Sequence, residues 1–171
     1  DPSGFYSERY GRAGVTVFAS RNSTRAYDPA DIGLTAIPKA IRYTINPRLF
    51  LYGKKTTANI GVNFITEDRT GGNIDYIKNG APGYYESNKT DRVTATGTVT
   101  QRFTENSAIT LKSSYSAFDR TIASPGYQFG ARQQSSFSEF SWNRSFKKME
   151  IIAGASLLTD DLAERAVAGA P

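Results

Sequence analysis

The chain has no cysteine and no histidine among its 171 residues. Without them there is no thiol nucleophile, no disulfide staple, no Ser-His-Asp triad and no Cys/His zinc site. The lack of cysteine leaves the compartment open, because exported bacterial proteins often lack it too. No apolar run approaches the roughly 18 residues of a membrane helix. No dense basic run is present, and the net charge of +5 is scattered along the chain, so nucleic acid is not an expected partner. A signal-peptide pattern is also missing. The chain opens at Asp1-Pro2-Ser3-Gly4 in mid-pattern, so it is expected to be mature or a piece of something longer.

Motifs for catalysis and metal binding are equally sparse. Gly53-Lys54-Lys55-Thr56 resembles a phosphate loop only in its Gly-Lys pair. Arg48 stands where the leading glycine belongs, and Lys55 stands where Ser or Thr should follow Lys54. It reads as a tight turn. Asp28 with Asp31, and Asp160 with Asp161, are too few carboxylates for calcium. No nucleophile–base pair is present, so neither an enzyme nor a cofactor is expected. The Asn-X-Ser/Thr triplets at Asn22, Asn88 and Asn143 are expected by chance in a chain this rich in those residues.

What is present is strand chemistry. Tyr and Phe number ten each, Ser, Thr and Asn are common, and apolar residues make up only 39%. The mean hydropathy is −0.45. That is poor for a soluble core and natural for a transmembrane barrel, where half of each strand faces water.

Alternation of period two marks strands near 12–21, 41–52, 57–68, 90–103, 108–120, 134–146 and 149–160. Short turns fall at Gly53–Thr56, Thr104–Ser107 and Lys147-Lys148, and long loops are expected near 22–40, 69–88 and 121–133. Sorting short turns to one side and long loops to the other is the layout of an outer-membrane barrel. Pro47 should produce a bulge or a weakened pairing. Segment 1–11 is poorly patterned and could hide an eighth strand. Segment 161–171 reads as loop, with a helical turn over Leu162–Ala168.

Each strand divides into two faces. Val62, Phe64, Val99, Leu111, Ala153 and Leu157 share an apolar side, expected to be convex. Arg48, Asn63, Thr98 and Lys112 share a polar side, expected to be concave. Arg42, Arg92, Arg102 and Glu139 add charge to that side, so it cannot be a dry core. The expected fold is therefore all-β: an antiparallel up-and-down meander forming part of a transmembrane β-barrel, with about seven to eight strands. Tyr43, Tyr52, Phe103, Phe118, Phe140, Trp142 and Phe146 lie near strand ends, as in an aromatic girdle at the membrane boundary.

Two sets of residues are candidates for contact at the loop rim. Asp68-Arg69, Asp91-Arg92 and Asp119-Arg120 each sit where a strand meets a loop. They read either as exposed rim pairs or, through Arg69, Arg92 and Arg120, as contacts for lipopolysaccharide phosphates. Tyr76, Tyr84 and Tyr85, with Tyr127 from the next loop, offer flat, rigid surface for a bulky ligand. The plainer reading is that these loops only cover the rim.

Several runs, in order, resemble a middle barrel segment of TonB-dependent outer-membrane receptors. They are Tyr27-Asp28-Pro29-Ala30-Asp31-Ile32-Gly33 with Ile37-Pro38, Asn46-Pro47-Arg48-Leu49-Phe50-Leu51-Tyr52, and Glu67-Asp68-Arg69-Thr70-Gly71-Gly72. Asn88-Lys89-Thr90 with Arg92, Phe118-Asp119-Arg120 and Ser135-Ser136-Phe137-Ser138-Glu139 continue the series. The resemblance spans about residues 12–161. It implies a ligand-gated importer in the bacterial outer membrane, with membrane lipid, the TonB complex and a bulky nutrient as partners. The nutrient would be a siderophore complex, haem, cobalamin or a glycan. Such a receptor has an N-terminal plug and a TonB box, and neither is in this sequence. Seven or so strands also fall short of the roughly 22 of a plugged transporter. The chain is thus expected to be a fragment that does not transport alone. A passive outer-membrane pore or small barrel, and a soluble carbohydrate-binding sandwich, are the competing readings.

Overall fold

The computed structural model of the chain describes residues 1–168. Eight antiparallel strands follow one another in chain order within one sheet. They are β1 (Ser3–Tyr10), β2 (Ala13–Thr24), β3 (Lys39–Tyr52), β4 (Thr56–Gly72), β5 (Tyr85–Thr104), β6 (Ser107–Ser124), β7 (Tyr127–Phe146) and β8 (Met149–Ala168). A short helix, α1 (Ile74–Asn79), lies between β4 and β5. Among the described residues, β1 pairs only with β2 and β8 only with β7, so the sheet is open. The meander expected from the alternation is what forms, and the eighth strand lies in the poorly patterned first segment. There is one sheet, not the two of a sandwich.

Two expectations about loops are overturned. The long loop expected near 121–133 is a tight turn at Pro125-Gly126, with β6 and β7 running straight through the rest. Proline fixes its own φ, and Gly126 takes φ +78°, so two residues suffice to reverse the chain. The tail expected as loop or helical turn from 161 is strand as far as Ala168; residues 169–171 lie outside the described residues. The extension of β7 offers a free backbone edge, and β8 pairs along it. An isolated turn of helix is too short to compete, whatever its alanine content.

Pro47 behaves as a local fault. It sits opposite Val17 in the β2 pairing. On the β4 side the pairing lapses at Asn46 and Pro47, then resumes in unchanged register at Arg48 opposite Gly61. The ladder is weakened without a bulge. Asn63, which faces the gap, has a buried Oδ1 with no hydrogen-bond partner among the described residues.

Register assigns the faces. Leu49, Ile60, Gly97, Ser113, Ser138 and Leu157 form one row across β3–β8, each paired with the next. Val62, Phe64, Val99, Leu111 and Ala153 share that face. Arg48, Asn63, Thr98 and Lys112 lie on the other. Large apolar side chains such as Ile60, Phe64, Val99, Leu111 and Phe140 are exposed. Small polar ones opposite, Thr94, Thr96, Thr98 and Ser116, are half-buried. Curvature inverts the usual order of burial in this way. Side chains inside a curve converge and those outside it spread, so the polar face is the concave one.

The same row gives the tilt. Leu49 lies three residues before Tyr52 at the turn end of β3, and Leu157 lies eight residues after Met149 at the turn end of β8. The row climbs one residue per strand. A rise of about 3.3 Å against a strand spacing of about 4.8 Å gives a tilt of roughly 35°, which is the tilt of a barrel wall. On β6 the apolar face runs from Ile109 to Ala117. Eight steps along a strand so tilted give roughly 22 Å of height, close to the ~25 Å apolar band of outer-membrane barrels.

Almost nothing is buried. Ala131 is the one buried apolar residue among those described, and thirty large apolar side chains are exposed. The accessible surface is 11712 Å². A compact soluble protein of 18.7 kDa exposes only about 8,300 Å². The excess is that of a sheet whose two faces are both uncovered.

Candidate functional site

The loop-side ends of the strands carry the candidate residues. Two connections are stitched together there. Leu34 bridges to Asn73, and Thr35 N–H donates to Gly72 O at 2.9 Å. Gly72 N–H donates to Thr35 Oγ1 at 2.9 Å, and Ile74 N–H donates to Gly33 O at 2.9 Å. Asp28 accepts from the Gly33 N–H at 2.7 Å, so it closes the 25–38 loop on itself. Asn73 closes the α1 connection. Its N–H donates to Tyr84 O at 2.8 Å, and its Oδ1 accepts from Tyr84 N–H at 2.6 Å. Gly72 makes this possible: its φ is +120°, and a Cβ there would meet Tyr84 O at 2.4 Å. Gly80, in the left-handed region, ends the helix.

The four tyrosines are divided between faces. Tyr76 on α1 stacks on Tyr85 at 4.6 Å between ring centroids and 7° between planes. They line a polar hollow of about 480 Å³ with Asp68, Lys89, Thr121 and Gln128, on the side continuous with the apolar face. Tyr84 lies on the other side, against Arg69, Glu86 and Asn88. Tyr127 pairs with Ser124, at the tip of β6–β7 and on the polar face. The structure joins Tyr76 to Tyr85 and separates that pair from Tyr84 and Tyr127.

Arg69, Arg92 and Arg120 all fall on the polar, concave face, turned away from the surface on which lipid headgroups would lie beside an apolar band. Their acidic neighbours Asp68, Asp91 and Asp119 fall on the apolar one, because successive strand residues point to opposite sides. The three Asp-Arg dipeptides therefore make no pairs along the chain. Arg69 pairs with Glu67 at 2.8 Å, and Glu67 also holds Arg42. Arg120 donates to Asn88 Oδ1 at 3.1 Å, and Arg92 lies 4.4 Å above the Phe118 ring. Phe118 and Tyr52 thereby leave the expected girdle for the polar face. Tyr43 and Trp142 remain on the apolar face near its two ends.

Asp119 instead binds Arg132, whose Nε donates to Oδ1 at 2.8 Å, and Arg165, at 3.0 Å. The Arg132 hydrogen bond, reinforced by both guanidinium charges, holds the Asp119 carboxyl below its ordinary range. This junction of β6, β7 and β8 was hidden in the sequence, since Arg165 falls in a segment that reads as loop.

The concave wall is a polar lattice. Lys112 meets Glu139 at 2.8 Å, Arg48 donates to Asn59 at 3.3 Å, and Thr94 pairs with Ser116 at 3.0 Å. Across β3–β6 it carries Arg42, Arg48, Arg69, Arg92, Arg102, Lys112 and Arg120 against only Glu67 and Glu86. Such a wall carries a surplus of positive charge, complementary to an anion. Among the described residues no three acidic side chains group to hold a metal ion, and no helix is long and apolar enough to cross a membrane. No family model, curated protein or solved structure matches the chain.

Proposed function

We propose that this chain forms part of the wall of an outer-membrane β-barrel that imports a bulky, anionic nutrient with energy from the TonB complex. The observation that carries the membrane part is the two-faced open sheet: an apolar band of membrane height on the convex side, a charged wall on the concave side, and no core. Lipid covers the first and water the second. The free edges of β1 and β8 cannot stay unpaired in lipid, so they pair with further strands. The excess of arginine across β3–β6 favours an anionic cargo such as a ferric chelate. Tyr84 and Tyr127, on the polar side of the rim, are the tyrosines placed to meet it. The import step rests on the sequence resemblance.

The test is uptake by cells that carry or lack the gene, with and without an uncoupler of the inner-membrane proton gradient. The importer predicts uptake of one anionic ferric chelate that is lost with the gene and abolished by the uncoupler. A passive pore predicts uncoupler-insensitive entry of many small solutes. The eight-strand count suits a small closed barrel, but β1 and β8 do not pair with each other.

A further inference from the structure

On the apolar face, directly above the band, lies a basic groove of about 710 Å³. Arg21 and Lys39 come from strands, Arg25 from the 25–38 loop, and Lys78 from α1. Asp68 is the acid in the groove wall, and it also faces Lys89 at 3.8 Å. Arg21 Nε donates to Tyr43 Oη at 3.2 Å, so the guanidinium is held at the lip of the band. Arg25, Lys39 and Lys78 have no carboxylate partner within ion-pair distance among the described residues.

The surface below the groove continues it. Ile41 lines the groove. Two residues on along the same face of β3, Tyr43 and Ile45 line an apolar crevice with Phe64 and Val93. Further down, Leu49, Ile60, Val99 and Leu111 line an apolar hollow of about 310 Å³, opened by Gly97, which has no side chain to fill it. A cationic head site thus stands over a continuous apolar track. Neither a soluble anion nor a peptide needs that combination, and a lipid does.

We propose that Arg21, Arg25, Lys39 and Lys78 bind the headgroup of a membrane lipid bearing two phosphates, with one acyl chain lying along Ile45, Phe64 and Val93 toward the Gly97 hollow. Four cations less Asp68 leave a surplus of three charges. Two phosphate groups carry about −3 to −4, so one such lipid neutralises the groove. Phosphate recognition sits on the apolar face, not at Arg69, Arg92 and Arg120. This inference rests on the membrane reading.

The experiment uses the whole barrel protein that contains this chain, in phosphatidylcholine nanodiscs containing a small fraction of lipid A, a bisphosphorylated lipid. Native mass spectrometry reads the retained lipid. Protected strand amides in hydrogen exchange read insertion. Wild type should retain lipid A over phosphatidylcholine. The double variant Arg21→Glu/Lys39→Glu should lower retention by about tenfold or more, since it removes two charge-assisted contacts. Arg92→Glu/Arg120→Glu, on the opposite face, should not. Excess inorganic phosphate should displace little, whereas Ile45→Ser/Phe64→Ser should weaken retention. Equal losses from both charge swaps, or full displacement by inorganic phosphate, would overturn the lipid site. An inserted barrel that retains no lipid A defeats this proposal alone; a complete barrel protein that never inserts defeats the membrane reading with it.

Discussion

At the scale of single residues, each position means what its face means. Ile60 points from the convex side, paired with Leu49 and Gly97. Arginine there should destabilise the protein in lipid by about 2–4 kcal/mol, the cost of a charge near the bilayer midplane. Thr98→Glu, on the concave side next to Lys112, should stay within about 1 kcal/mol of wild type. Urea titration of the whole barrel protein refolded into lipid vesicles measures both, and equal penalties would contradict the assignment of faces. Gly72 is fixed by backbone instead. Gly72→Ala forces a Cβ into Tyr84 O and should cost about 1–3 kcal/mol locally. Faster proteolysis within 73–84 is the expected signature.

At the scale of elements, what could be read in the sequence depended on what held each element. β3 to β6 are legible because apolar and polar residues alternate with period two, so Ile60 and Val99 declare themselves. The far end of β8 is not, because no alternation marks residues 161–168 as strand; they are held by the backbone ladder to β7. For the same reason the Pro125-Gly126 turn was masked by polar neighbours that read as loop. The rim arginines were legible as a set, but their partners were not. Asp119 finds Arg132 and Arg165 only once three strands are laid side by side. That junction carries a prediction. The Asp119 carboxyl is held below its ordinary range, so its contribution is fully present above about pH 4 and is lost as pH falls through the lowered value. Protection of the amides at residues 162–165, taken relative to their slower intrinsic exchange in acid, should therefore fall as the pH is lowered. Asp119→Asn should show the lower protection at neutral pH and remove that acid step. Exchange that is unchanged in the variant would separate the ion pairs from the stability of β8.

At the scale of the whole molecule, one fact organises the rest: a sheet tilted by roughly 35°, apolar on its convex face, charged on its concave face across β3–β6, and with almost nothing buried among the described residues. The crowding of threonines on one side and the spread of leucines and isoleucines on the other follow from its curvature. The absence of cysteine from these 171 residues serves the most direct test, because no native thiol within them competes with an introduced one. Single cysteines placed in turn at each position from 109 to 117 on β6 of the whole barrel protein can carry a nitroxide label in lipid vesicles. Spectra then report collisions with oxygen, which concentrates in lipid, and with a water-soluble nickel chelate. The predicted result is an alternation of period two, with oxygen favoured at 109, 111, 113, 115 and 117 and nickel at the even positions. Uniform access to the nickel chelate at all nine positions, or the alternation in opposite phase, would contradict a sheet that sets its apolar face against lipid.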